Sequence, residues 1–222
     1  MPNERFQIVA DVIRNRKTTK LIATANSPVT ITDESNATFE SNVRAAIATA
    51  GWAPFHFDRQ VDGIAEPWRV HFVRWQTCRA ISKNFCTWFS DVKPGNKLPG
   101  MLNACGALLL VNWLPHSEDE VADFAKRQDV NLEHHAASSA FVENLLLLLT
   151  ALDYATYWSS GGQLKSPPMF QRLGIPANEQ LLAAVFVENP AAELGNVERA
   201  SGKLRQHRAD VAQWLKFPEL SE

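Results

Sequence analysis

Apolar residues recur along this chain in two rhythms, one helical and one alternating. Phe6, Val9, Ala10, Val12 and Ile13 fall at helical spacing and predict an amphipathic helix over residues 4–16. Asn26-Ser27-Pro28 and the Thr/Ser/Asp-rich run to Asn36 break the pattern. A second helix is predicted over about residues 38–50, with Phe39, Val43, Ala46, Ile47 and Ala50 on one face and a stop near Gly51. Residues 52–67 carry Pro54, Gly63 and Pro67 and read as irregular, after which residues 69–74 alternate as a strand does. A helix over about 77–90 and the turn Lys93-Pro94-Gly95-Asn96 come next. The continuous apolar run 107–111 then reads as a strand covered on both faces.

Residues 118–128 predict another helix. Residues 132–152 predict a further one whose second half, AFVENLLLLLTAL, is apolar on every side and belongs inside the protein or inside a subunit interface. Strands are predicted near 155–158 and 181–187, a brief helix at 168–173 and a late helix at 208–215. A fully apolar helix beside strands, with long irregular connections, implies an α+β layered fold rather than a regular βαβ alternation. No repeat, low-complexity block or Pro/Gly/Ser-rich linker divides the chain, so residues 1–222 are read as one domain.

Composition narrows the function classes. A formal charge of −2 argues against a dedicated nucleic-acid binder, while leaving room for a local basic patch. Cys78, Cys86 and Cys105 form an odd set without a CxxC pairing, which suits a reducing compartment better than a disulfide framework. The N-terminal stretch has charges spread through it and lacks a signal-type apolar segment. The most apolar run, 145–152, is too short for a membrane span. A soluble cytoplasmic protein is the expectation.

The strong chemical signatures are missing: GxGxxG after a strand, GxxxxGK[ST], HExxH, GxSxG and CxxC. Three weaker signals remain. Arg14-Asn15-Arg16-Lys17-Thr18-Thr19-Lys20 offers fixed cations and hydroxyls of the kind a phosphate wants, although basic residues at a helix end also complement its dipole. Ala53-Pro54-Phe55-His56 and Glu66-Pro67-Trp68 could line a flat cofactor, or be a surface His and a core Trp. Trp158-Ser159-Ser160-Gly161-Gly162 exposes N–H groups and hydroxyls after a strand, as an ordinary glycine turn also does. His134-His135 point about 100° apart on a helix and make a poor metal pair. Glu118, Asp119 and Glu120 read as a solvated helix start.

In order along the chain, these segments resemble the FMN-dependent nitroreductase family, closest to its compact short-chain branch. Arg16-Lys17-Thr18-Thr19-Lys20 is similar to the R-[RH]-S-x-[RK] motif that closes the family's first helix. Ala53-Pro54 with Glu66-Pro67-Trp68 resembles its AP…QPW segment, and Phe141-Val142-Glu143-Asn144-Leu145 the QNL-like start of its buried central helix. Trp158-Ser159-Ser160-Gly161 matches the Trp-x-[ST]-G-like turn, and Leu173-Gly174-Ile175-Pro176 repeats LGIP. The likeness runs from about residue 5 to 190.

The resemblance implies a mixed or antiparallel central sheet flanked by helices, and a homodimer with FMN at the subunit interface. Arg16, Lys17 and Thr18 would hold the phosphate and ribityl chain, and Lys20 would lie near the N1/O2 edge of the ring. His56 would reach over from the partner subunit, and Asn144, Trp158, Ser159, Ser160 and Gly161 would complete the cofactor set. NADPH or NADH would be the reductant, and a nitroaromatic or quinone the acceptor. No protein acid or base is singled out beyond His56, and no metal, nucleic acid or membrane is implied. The chain departs from the family at Glu66, which replaces Gln, in about nine extra residues between His56 and Glu66, and at Asp153, which replaces Gly. Flavin breakdown, reductive dehalogenation or a non-catalytic binding role on the same scaffold are the alternatives. Whether Lys203, Arg205 and Arg208 join the phosphate site or are solvated helix charges stays open.

Overall fold

The computed structural model describes residues 3–24, 27–90, 92–93, 95–218 and 220, so part of the predicted 26–28 break and of the 93–96 turn lies outside the described residues. Helix α1 (Glu4–Asn15) starts where the Asn3 side chain accepts a hydrogen bond from the Phe6 amide at 3.0 Å. Helix α2 (Asp33–Ala50) begins five residues earlier than its apolar face predicts. Thr32 caps it by accepting from the Ser35 amide, so the Thr/Asp/Ser run read as a break is a helix N-terminus.

Strand β2 (Trp68–Arg74) runs straight into helix α3 (Trp75–Trp88). Helix α4 (Leu98–Ala104), absent from the sequence reading because Pro99 and Gly100 mask it, leads into β3 (Ala107–Trp113). The two helices predicted over 118–128 and 132–152 are a single helix, α5 (Phe124–Ala151), capped by Asp123. Glu118, Asp119 and Glu120 lie in a turn, not a helix start. Glu120 folds back to accept from the Ser117 amide and from Arg59, each at 2.8 Å. Strand β4 (Thr156–Ser159), helix α6 (Pro167–Leu173) and strand β5 (Gln180–Val187) fall close to prediction. The late helix is reduced to a 3₁₀ turn at Leu204–His207 and one turn of helix, α7 (Val211–Trp214).

The central sheet has the order β2-β3-β5-β4, and every pairing in it is antiparallel, which settles the mixed-or-antiparallel expectation. Strand β3 is covered on both faces, as its continuous apolar run requires. Leu109 and Val111 pack with Phe141, Leu145 and Leu149 of α5, while Leu108 and Leu110 pack with Phe85 of α3 and Leu102 of α4. Trp68 belongs to the first of these layers, stacked on Phe141 with ring centres 5.3 Å apart. It is the core Trp rather than a pocket wall.

A second, two-stranded sheet pairs β1 (Thr19–Ala23) antiparallel with β6 (Val197–Ser201). Neither strand was legible: β1 begins inside the cationic run, and its partner lies near the other end of the chain. The α5 face carrying Leu147 and Leu148 is only half-buried, forming an apolar groove with Ile8, Val9 and Val12 of α1. No described helix is long and apolar enough to cross a membrane.

Candidate functional site

The β1–β6 ladder builds the site. It sets Thr19 opposite Ser201 and continues with the Gly202 amide donating to the Thr18 carbonyl at 3.0 Å. A side chain at 202 would not fit there, since its Cβ would fall 2.9 Å from that of Thr18. The chain leaving α1 and the chain leaving β6 therefore enclose a cleft of about 780 Å³. Arg14, Arg16 and Lys17 line one wall and Lys203, Arg205 and Arg208 the other, with the Thr18 and Ser201 segments between them. The residues whose role the sequence left open thus face the first cationic run. The spacing Lys-x-Arg-x-x-Arg was visible, but nothing local said which surface it faces.

These cations are not equally available. Arg205 ties the two walls together by donating to the Arg16 carbonyl at 2.6 Å and to the Arg14 carbonyl, at the point where helix α1 leaves its last carbonyls unpaired. Arg16 pairs with Glu143 at 3.4 Å, and Arg14 with Asp11 at 3.4 Å. Among the described residues Lys17, Lys203 and Arg208 have no ion-pair partner. Dense like charge with uncommitted donors is an arrangement that a bound anion stabilises. A second cleft of about 730 Å³ shares Asn15, Lys17 and Ser201 with the first. Its buried carboxylate, Glu188, titrates above the usual carboxylate range because burial outweighs the opposing pull of Arg199.

Lys20 lies beside β4. A parallel bridge joins Thr18 to Thr156, and the Lys20 ammonium sits 4.4 Å from the centre of the Tyr157 ring. Next to it Trp158 is partly exposed, and Ser159 Oγ accepts from the Gly161 amide at 3.2 Å. Gly161 has φ +93°, a conformation that favours glycine, and a Cβ there would also have to displace the tip of the Leu181 side chain. Gly161→Ala is expected to destabilise the fold by about 1–3 kcal/mol. An unshifted urea midpoint in that variant would show that the turn relaxes freely.

The structure thus places Arg16, Lys17 and Thr18 on the cleft wall and Lys20 against β4, the strand that carries Trp158 and Ser159 and leads to Gly161. It places two others elsewhere. His56 is exposed on the irregular segment after α2 and does not line the cationic cleft. Asn144 lines the apolar groove against α1. Ser160 is exposed at the turn after β4.

A further polar cluster lies where the irregular segment meets the start of α5. The buried Arg59 side chain donates to the Leu114 and Pro115 carbonyls, each at 3.0 Å, as well as to Glu120. Beyond it the His116 and His134 rings lie 5.2 Å apart. Among the described residues no group of three or more His, Cys, Asp or Glu side chains is arranged to hold a metal ion.

No protein-family model matches the chain. It is 24% identical over 190 residues to YfhC of Bacillus subtilis (strain 168), a protein named for an inferred NAD(P)H nitroreductase activity; the match covers 84% of this chain and 86% of YfhC. Among solved structures it superposes on a nitroreductase-like family protein from Bacillus cereus with a TM-score of 0.66 at 18% identity, covering 95% and 96% of the two chains. It also superposes on a nitroreductase, so named by inference, from Desulfovibrio desulfuricans in complex with FMN, with a TM-score of 0.57 at 20% identity over 100% of both chains. The chain has the nitroreductase fold.

Within this nitroreductase-like architecture the segments carrying the resemblance take defined places. Residues 16–18 join α1 to β1, which opens with Thr19 and Lys20, and Glu66-Pro67 leads into β2 at Trp68. Phe141–Leu145 lies in the buried half of α5, residues 158–161 close β4, and Gly174 ends α6 in the left-handed conformation at φ +67°.

Proposed function

We propose that this chain is an FMN-dependent NAD(P)H oxidoreductase that works as a cytoplasmic homodimer. The observation carrying the reading is the cationic cleft lined by residues 14–18 and 201–208, whose Thr18 bridges to Thr156 of β4 while Lys20 lies over Tyr157 of the same strand. An elongated ligand with a phosphate at one end and a flat heteroaromatic ring at the other fits that sequence of groups. In FMN the phosphate would be held by Arg16, Lys17 and Thr18 with Lys203, and the ring bordered by Lys20, Trp158, Ser159, Ser160 and Gly161. Bound FMN supplies two-electron hydride chemistry between NADPH or NADH and an electron-poor acceptor such as a nitroaromatic or quinone.

The protein's own groups contribute position and field. Arg205 keeps the two walls of the cleft at a fixed separation, and the uncommitted lysines supply charge-assisted hydrogen bonds to an anion. Lys20 favours negative charge developing on a ring beside it. Lys20→Ala is expected to lower the flavin potential by about 20 mV, the two-electron equivalent of roughly 1 kcal/mol for a partly screened charge. A spectroelectrochemical titration giving the same potential in both proteins would remove that role.

Exposed apolar surface supports the homodimer. α1 has no buried residue, and Phe6, Ile8, Val9 and Ile13 are all open to solvent beside the groove bordered by Leu147 and Leu148. In the C-terminal segment Leu204, Trp214 and Phe217 are 84%, 65% and 85% exposed. Apolar surface on this scale marks an interaction face. His56, which does not line this chain's own cleft, would serve the partner's. Purified protein is expected to elute as a yellow dimer and to release FMN on denaturation, and NADPH or NADH should bleach it anaerobically. A colourless monomer would overturn the proposal. Flavin that neither nucleotide reduces would favour a passive binder or another flavin chemistry.

A further inference from the structure

A separate pocket of about 330 Å³ opens where α6 and the residues after it meet the start of β5, and it shares no lining residue with the cationic cleft. Pro167, Phe170, Ile175 and Ala177 make its walls apolar, and its two charged lining residues, Lys165 and Glu179, have opposite signs. Lys165 is exposed at the end of the 3₁₀ turn Gly162–Lys165, whereas the Glu179 side chain is only 5% exposed. Among the described residues no ion pair joins Lys165 to Glu179 or to any other acid.

A carboxylate placed so deeply needs donors. His71 Nε2 of β2 supplies one at 2.6 Å, and Asn112 Nδ2 of β3 another at 2.8 Å. Both bonds end on Oε2. The other oxygen, Oε1, has no hydrogen-bond partner among the described residues and is not sealed off. Asn112 is itself fully buried, and with its amide turned to Glu179 its Oδ1 is left without a partner. An orphaned acceptor inside the protein costs stability, so packing alone would not favour this network. It sits where the β3–β5 register shifts between Val111 and Asn112, an irregularity of the kind that re-aims side chains.

We propose that this pocket binds a small zwitterion with an apolar body, of the chemistry of an apolar α-amino acid. The ligand's ammonium donates to Glu179 Oε1, its carboxylate meets the Lys165 ammonium, and its side chain lies against Phe170 and Ile175. With the His71 imidazole neutral, the two donors on Oε2 leave the carboxylate without a countercharge, and the ligand's ammonium supplies one. The volume is at the low end for small-molecule pockets, which suits an amino acid and not a dinucleotide. The site stands apart from the flavin reading and is tested without it.

The full-length chain, isotopically labelled, is titrated with L-phenylalanine and followed by its amide resonances. Saturable shifts centred on residues 165–179 are expected, with a dissociation constant of about 1 mM or tighter. Phenylpropionate, which lacks the ammonium, should bind about 10-fold more weakly or worse, and phenethylamine, which lacks the carboxylate, about 3-fold more weakly. Glu179→Gln, with its circular dichroism unchanged, should weaken L-phenylalanine by about 10–100-fold, and Lys165→Met by about 3-fold. Glu179 also ties the start of β5 to β2 and β3, so the probe series on the wild-type chain decides the matter if that variant does not fold. If L-phenylalanine leaves these amides unmoved, if phenylpropionate binds as tightly as L-phenylalanine, or if folded Glu179→Gln keeps full affinity, the proposal is wrong.

Discussion

Lys17→Ala combined with Lys203→Ala is expected to weaken FMN binding by about 100-fold while leaving riboflavin binding nearly unchanged. The two lysines stand on opposite walls of the cleft, and neither is ion-paired, so each is available to a phosphate. A charge-assisted hydrogen bond at a partly solvated site contributes about 1.5 kcal/mol, and two sum to roughly 3 kcal/mol, or two decades of affinity. Arg205 is a poorer choice for this experiment, because its loss would also release the carbonyls that hold α1 to the C-terminal segment. Fluorescence titration of apoprotein with both flavins distinguishes the outcomes. An equal loss for FMN and riboflavin would mean that the cleft does not read the phosphate.

Acid is expected to destabilise the fold through the buried His134 and the half-buried His116 packed on it. His134 is almost fully buried, and its folded pKa is pushed down to about 4, first by burial and then by the charges of His116 and Arg59, with Asp58 opposing. His116 is lowered in the same direction by burial and by Arg59, against Glu120. The unfolded chain, with its imidazoles near 6.5, takes up protons first as the pH falls. The stability of the neutral form is therefore fully present above about pH 6.5 and is lost progressively down to about pH 4. For His134 alone the loss by pH 4.5 is roughly 2–3 kcal/mol. His134→Phe keeps a ring against His116 and removes the titration, so its urea midpoint should vary less with pH over this interval. Parallel curves for the two proteins would assign the acid sensitivity to other groups.

Local order was readable wherever a single segment carried its own reason for folding. The apolar run of β3 and the all-round apolar half of α5 identify themselves, because burial on both faces leaves no polar position to confuse the pattern. Boundaries set by side-chain hydrogen bonds were misplaced, as at Thr32, where the capping residues look like loop composition. The separation of α5 into two helices arose because the acidic residues 118–120 suit a helix start, yet Arg59 and Ser117 hold Glu120 in a turn.

For the site, the dense cations after α1 were conspicuous, and Trp158-Ser159-Ser160-Gly161 was legible as a glycine turn after a strand. The wall made by Lys203, Arg205 and Arg208 could not be placed. It depends on β1 meeting β6, a pairing between distant segments that leaves no periodic trace in either strand. Such non-local pairing pays its loop-closure entropy before any contact rewards it, and no window of neighbouring residues records it.

That pairing also sets an order of events during biosynthesis. One wall of the cleft leaves the ribosome with the first helix, while the other follows only after β6. Until then, the early cations have no opposite wall, and β1 lacks its neighbour. Loading of a phosphorylated ligand would then report that β1 and β6 have met, and a nascent chain stalled before residue 197 should emerge unable to retain one.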